Sequence, residues 1–220
     1  MYLVKGKITM LLIDNTSKLK NIMKFERGSY YKFVALIRAK DYKDGSEQVL
    51  TSMEKQEILV KDWMIDSQEM LDKILPDMLK YTELFKCRLY MCTDRKSVVK
   101  TLVQMRNKIQ TYLDQFLGNP NIQCSARSLR KIEMSSSSLK ESSDFNGRKW
   151  LYDIDTIDPV VVDYVFKHCE SKYTCFETKN GYHVVSDRTY DAHREMLPSE
   201  VELKENAMVL VAMGEIKDDC

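Results

Sequence analysis

The chain has no apolar run approaching the ~20 residues that a membrane-crossing helix needs. A helical membrane span is therefore not expected. It has almost no excess charge: 34 Lys and Arg stand against 33 Asp and Glu, for a formal net charge of +1. That excludes a chain-wide basic field, so any nucleic-acid site has to be a local patch. Cys87, Cys92, Cys124, Cys169, Cys175 and Cys220 form no CxxC pair and no paired zinc-ligand spacing, which reads as free thiols. His168, His183 and His193 are too few for a histidine-rich metal centre. The start, Met1 to Ile8, is basic and apolar but lacks a small-residue cleavage pattern. A strand or short helix is expected there, in a cytoplasmic protein. There are no internal repeats.

What is present fits one large domain or two small ones in 220 residues. Basic residues gather at Arg95-Lys96, at residues 127–131 and at Arg148-Lys149, each reading as a solvated face before it reads as a groove. Tyr31 to Arg38 reads as a buried strand running into the turn-rich Asp41 to Gly45, and Glu57 to Val60 as a short strand. Ser67 can cap a helix running toward Leu84, with Pro76 arguing for a bend or break inside it. Cys87 to Cys92 is a strand candidate. Asp94 or Ser97 starts a helix through Val98, Leu102, Ile109 and Phe116 that Gly118-Asn119-Pro120 stops. Ser135 to Ser138 and Ser142-Ser143 are poor in apolar residues, which suggests a mobile linker or loop over residues 135–148.

The remainder has a readable order. Trp150 to Asp155 is a strand, and Asp158-Pro159 opens a helix through Val162, Val165 and Phe166. Tyr173 to Thr178 is a strand, Asn180-Gly181 a hairpin turn, and Tyr182 to Ser186 the return. A short helix or irregular connection holds Ala192 to Met196. Glu200 to Lys204 and Met208 to Met213 are further strands. The expected fold class is α+β: an N-terminal α/β module over residues 1–134, then an RRM-like (ferredoxin-like) β-α-β-β-α-β module over residues 149–220 with one extra strand.

Asp153 and Asp155 carry the chemistry. Strand side chains alternate, so both point the same way, roughly 6.5–7 Å apart at the backbone. Trp150, Tyr152 and Ile154 point to the other face. Two carboxylates at that spacing can converge on divalent ions, and magnesium suits them because it borrows oxygens from substrate phosphates. His183 lies just past a turn that supplies Lys179 and Gly181, where an imidazole can donate to a phosphate oxygen. Glu202, between Val201 and Leu203, is the candidate third acid, with Glu200 as the fallback.

A strand ending in Asp-x-Asp, a hairpin strand bearing histidine and a strand bearing a third acid together resemble the archaeo-eukaryotic primase superfamily. Its small primase-polymerase-like proteins of phages and mobile elements are the nearest in pattern. The superfamily's hhDhD strand is matched by Leu151-Tyr152-Asp153-Ile154-Asp155, and its small-residue turn leading to histidine by Thr178 to His183. Its single acid after a hydrophobic residue is matched by Val201-Glu202, with glutamate as a departure. The resemblance implies that Asp153, Asp155 and Glu202 bind Mg2+ or Mn2+, and that His183, with Lys179 and Thr178 beside it, contacts the phosphates of a nucleoside triphosphate. It covers about residues 149 to 213. Arg88, Arg95 and Lys96 are candidates for template or nucleotide contacts by position only. The chain ends soon after the third motif and its cysteines offer no zinc framework, so unaided priming is not implied. Primer extension in DNA replication, another nucleotidyl transfer, or action with a replication or host partner protein all stay open. Two other readings use the same residues: an RRM-like module that binds nucleotide or nucleic acid without turnover, and a two-metal nuclease.

Overall fold

The computed structural model describes residues 11–38, 58–119, 126–169, 172–187 and 197–214. Their architecture is α+β, with two antiparallel sheets. In chain order the strands are β1 (Leu11–Asp14), β2 (Ser29–Ile37), β3 (Ile58–Ile65), β4 (Arg88–Cys92), β5 (Lys96–Ser97), β6 (Lys149–Ile154), β7 (Tyr173–Glu177), β8 (Tyr182–Asp187), β9 (Val201–Glu205) and β10 (Met208–Gly214). The helices are α1 (Leu19–Ile22), α2 (Gln68–Leu84), α3 (Val98–Gly118), α4 (Ala126–Ser138) and α5 (Pro159–His168). The first sheet runs β1-β10-β4-β2-β3, with β5 paired to β2, and the second runs β7-β8-β6-β9.

Local signals explain most elements. β2 is buried from Ser29 to Leu36 because β3 and β4 flank it. The Ser67 side chain accepts from Met70 N–H and opens α2, which continues unbroken through Pro76. The expected break does not occur: proline forfeits one N–H, while Leu71 and Met78 anchor the helix in the core. Ser97 accepts from Lys100 N–H and starts α3, and Asp158 accepts from Val160 N–H ahead of Pro159 in α5. The segments 39–57 and 188–196, which include the Asp41 to Gly45 turn and the Ala192 to Met196 connection, lie outside the described residues, as does the segment 1–10.

Two expectations are corrected. The serine-rich stretch is not an open connection. It is α4 through Ser138, followed by a 3-10 turn at Lys140–Ser142, and Ser136, Ser137, Ser142 and Ser143 are buried. Its hydroxyls and carbonyls bind buried ammonium groups. Lys32 Nζ donates to Ser137 Oγ at 2.7 Å, Ser138 Oγ at 3.1 Å and Met134 O at 3.0 Å. Lys96 Nζ donates to Ser143 Oγ at 2.9 Å, Leu139 O at 3.0 Å and Asn206 Oδ1. A buried cation needs such partners, which here take the place of water. Arg95-Lys96 is accordingly no solvated face: both residues are almost fully buried.

The second correction concerns the extra strand. β10 does not extend the second sheet. It lies between β1 and β4 in the first. Val209 to Met213 is an unbroken apolar run, and such a run suits a strand covered on both faces. The divide expected between residues 134 and 149 is also bridged: Leu151, Phe176 and Val185 share a core with Phe33, Leu89 and Val209. The other face of the second sheet is sealed by α5, where Val162, Val165 and Cys169 meet Tyr152, Ile154, Val184 and Val201.

Candidate functional site

The register of the second sheet sets the site. Asp153 on β6 lies directly opposite His183 on β8 and Glu202 on β9. Alternation turns these three side chains to one face, while Tyr152 and Ile154 face α5. Asp155 follows the end of β6, where its N–H donates to Glu200 O at 3.1 Å. The β7–β8 turn is closed by Thr178 N–H donating to Gly181 O at 3.0 Å. Glycine is required at 181, since an added Cβ would lie 2.0 Å from Ile154 O.

The face opens into a cavity of about 610 Å3 between the two sheets. One wall carries Asp153, Asp155, His183, Lys204 and the turn residues Thr178, Lys179 and Asn180. The other carries Arg38, Arg88, Tyr90, Met208 and Leu210. Arg38 and Arg88 both donate to the Tyr90 hydroxyl, at 3.3 and 3.4 Å.

Asp153 is the electrostatic centre. Its Oδ2 accepts from Lys204 Nζ at 2.6 Å, and its Oδ1 is 3.2 Å from His183 Nε2. Burial alone would push the carboxyl up, but the hydrogen bonds from His183 and Lys204 outweigh it and hold Asp153 well below the usual carboxylate range. Burial opposes the charge on Lys204 as well, and its bonds to Asp153 and Glu202 raise it instead. The tautomer of His183 follows from its second partner. Leu210 N–H donates to Nδ1 at 3.1 Å, so the neutral ring carries its proton on Nε2, facing Asp153. Leu210 sits where the β10–β4 register shifts. The irregularity thus coincides with the contact by which the first sheet orients the histidine.

The sequence-selected residues are therefore largely together. Asp153, Asp155, His183, Lys179, Thr178 and Arg88 all line the cavity. Glu202 is exposed and reaches Lys204 Nζ at 2.9 Å rather than lining the cavity. Glu200 accepts a bond from the Ser199 hydroxyl at 3.0 Å. Arg95 and Lys96 belong to interior networks. Among the described residues, no group of three or more His, Cys, Asp or Glu side chains is placed to hold a metal ion. The cavity lining holds two carboxylates, Asp153 and Asp155, and both oxygens of Asp153 already meet Lys204 and His183.

Sequence reasoning missed Lys204, Arg38, Tyr90 and Asn15. Lys204 carried a signal, because it is two residues beyond Glu202 and so shares its face. Asn15 carried none. Its Nδ2 donates to Glu177 O at 2.9 Å and Leu210 O at 3.1 Å, its Oδ1 accepts from Glu177 N–H at 3.0 Å, and its own N–H donates to Val211 O at 2.8 Å. It ties β7 to β10 beside the cavity. No family profile matches the chain, and no curated protein or solved structure matches it either.

Proposed function

We propose that the cavity carries out metal-dependent nucleotidyl transfer of the primase-polymerase kind, moving a nucleotide from a nucleoside triphosphate to a nucleic-acid 3′ end or a second nucleotide. One observation carries the reading. Asp153 and Asp155 share a cavity with His183 and Lys179, and the facing wall presents Arg38 and Arg88. Acids for a divalent cation and bases for a polyanion line a single space. The strand order β7-β8-β6-β9, with α5 following β6, supports an RRM-like sheet, the fold expected of such a site.

In this reading Asp153 and Asp155 would hold Mg2+ or Mn2+, while Glu202, outside the cavity lining, acts through Lys204 and not as a ligand. The ion when bound would lower the pKa of an attacking hydroxyl and neutralise triphosphate charge. The chain's own groups do the positioning. The Nε2–H of His183, oriented by Leu210, and the ammonium of Lys204 are donors aimed at the carboxylate edge, within reach of a phosphate oxygen there. Arg38, Arg88 and Lys179 supply cations farther along the polyanion, and the Thr178 hydroxyl a neutral donor. Holding reactants in register accounts for much of the rate in such transfers. A cytoplasmic setting and a replication or host partner accompany this reading. Among the described residues no helix is long and apolar enough to cross a membrane.

The bond of 2.6 Å between Lys204 and Asp153 favours a second reading, in which nucleotide binds without metal and without turnover. Incubation with labelled nucleotide, an oligonucleotide end and Mn2+ or Mg2+ separates the two. The primary reading expects incorporation, falling to the protein-free background in Asp153→Ala/Asp155→Ala. Equal incorporation by that double variant refutes it. Loss of oligonucleotide ends without incorporation indicates a nuclease, and binding without either reaction indicates the second reading.

A further inference from the structure

The β6–β8 pair has a second end lined by charged side chains. Asp153 and His183 pair at one end, and Lys149 and Asp187 at the other, four residues or roughly 13 Å away. Two adjoining cavities, of about 510 and 320 Å3, meet there and share Ile22, Lys149 and Asp187. Five cations line them: Lys24, Arg95, Arg148, Lys149 and Lys172. Among the described residues two acids do, Glu26 and Asp187. Glu26 pairs with Arg95 at 2.7 Å, Asp187 pairs with Lys149, and the neighbouring Asp144 pairs with Arg95 at 2.6 Å. The acids are thus engaged by Arg95 and Lys149, and the lining keeps a surplus of positive charge around Lys24, Arg148 and Lys172.

The groove also carries an exposed ring. Phe145, in a 3-10 turn at Phe145–Gly147, is 75% exposed. The turn is seated on Arg95, where a Cβ at Gly147 would come within 2.5 Å of Arg95 Cβ. The Arg148 guanidinium lies 5.5 Å from the Phe145 ring centre, and its buried Nε has no hydrogen-bond partner among the described residues. Tyr173, stacked on Phe166 at 4.6 Å, borders the far end.

We propose that this groove binds single-stranded nucleic acid, with an unstacked base on Phe145 and backbone phosphates on Arg148, Lys24 and Lys172. Every base offers a π-face to an aromatic ring, and a flanking cationic track holds the phosphates. An arginine alongside the ring strengthens such a stack. An acidic peptide would use the cations and leave the ring idle, and a duplex keeps its bases stacked on each other. The groove needs neither the cavity acids nor a metal.

The test is fluorescence anisotropy of a labelled 12-nucleotide pyrimidine strand with the full chain in EDTA. Wild type binds, Phe145→Ala weakens binding roughly tenfold, and Phe145→Trp restores it. Arg148→Ala/Lys172→Ala lowers the salt dependence of binding. An abasic strand of equal length binds the wild type as weakly as the pyrimidine strand binds Phe145→Ala. Phe145 is mostly exposed, so its variants keep the wild-type melting temperature. The proposal is overturned by no binding of any strand, by undiminished binding to Phe145→Ala or of the abasic strand, or by equal competition from poly-glutamate. Loss of binding in Asp153→Ala/Asp155→Ala would overturn it too, by moving the strand to the cavity. Strand binding by a wild type that incorporates no nucleotide sustains the groove and refutes only the transferase reading.

Discussion

Asn15 and Lys204 show how much a single side chain decides here. Asn15 is buried and uses both ends of its amide across two sheets, so Asn15→Ala strands backbone groups of Glu177 and Leu210. A buried polar group left without its partner costs ~1–3 kcal/mol. The expected loss is ~3 kcal/mol in urea unfolding, and the thermal midpoint checks it independently. Lys204 has the opposite relation to function. Its ammonium lies on the carboxylate proposed to take a divalent cation, so Lys204→Met should strengthen Mn2+ binding. A neighbouring opposite charge shifts proton affinity by ~1–3 pKa units, which sets the expected gain at roughly tenfold or more. Titration calorimetry with Mn2+ and no nucleotide reads it directly, and weaker binding by the variant would argue against a cation at Asp153. His183→Ala should weaken triphosphate binding more than it weakens Mn2+ binding. Equal loss of both would deny the imidazole its phosphate role.

At the scale of elements, patterns with short-range causes were legible. β2, β4, α2 and α3 follow from apolar runs and periodicity, and Ser67, Ser97 and Asp158 cap helices as their positions imply. The Asn180-Gly181 hairpin was readable because Asn-Gly is a favoured two-residue turn; the fold adds that only glycine fits beneath Ile154 O. The pairing of β8 with β6, which brings His183 opposite Asp153, is set by the sheet and not by that turn. α4 was not legible, because its serines answer a lysine about a hundred residues away: Lys32 reaches Ser137 across 105 positions. Composition signals polarity, and only the fold says whether the polar atoms face water or a buried cation.

Two buried thiols at the edges of elements make stability pH-dependent. Burial pushes Cys87, just ahead of β4, and Cys169, at the end of α5, up to about 11 from a model-compound value of 9.0. The folded state keeps these protons while the unfolded chain loses them near pH 9. The stability they contribute is complete below pH 9 and is lost as pH climbs toward 11. Each contributes a slope of up to ~1.4 kcal/mol per pH unit in that window. Between pH 8.5 and 10.5, Cys87→Ala/Cys169→Ala should therefore lose less stability than wild type in urea titrations.

Across the whole molecule the decisive event is the return of β10 to the first sheet. It joins β1 to β4 and sends Leu210 N–H to His183, so the last described strand completes the first sheet and orients a residue of the second. Deleting residues 208–220 should then abolish cooperative unfolding of the whole chain rather than trim a dispensable end. It would leave β4 and β1 with unpaired edges and remove Val209 to Met213 from the core. Circular dichroism melts and gel filtration check this: aggregation or loss of the transition is expected. A native-like transition in the truncated chain would mean that the two sheets fold independently.

The amino-acid sequence alone determined the α+β class, most strand and helix positions, and the helix caps. Each of these depends on neighbours within a few residues or on the two-residue period of a strand. Tertiary structure decided that β10 crosses to the first sheet, that the serines are buried, that Lys204 sits on Asp153, and that Arg38 and Arg88 face them. Those outcomes depend on contacts between residues distant in sequence, and which distant segments meet is settled only when the whole chain competes for one core.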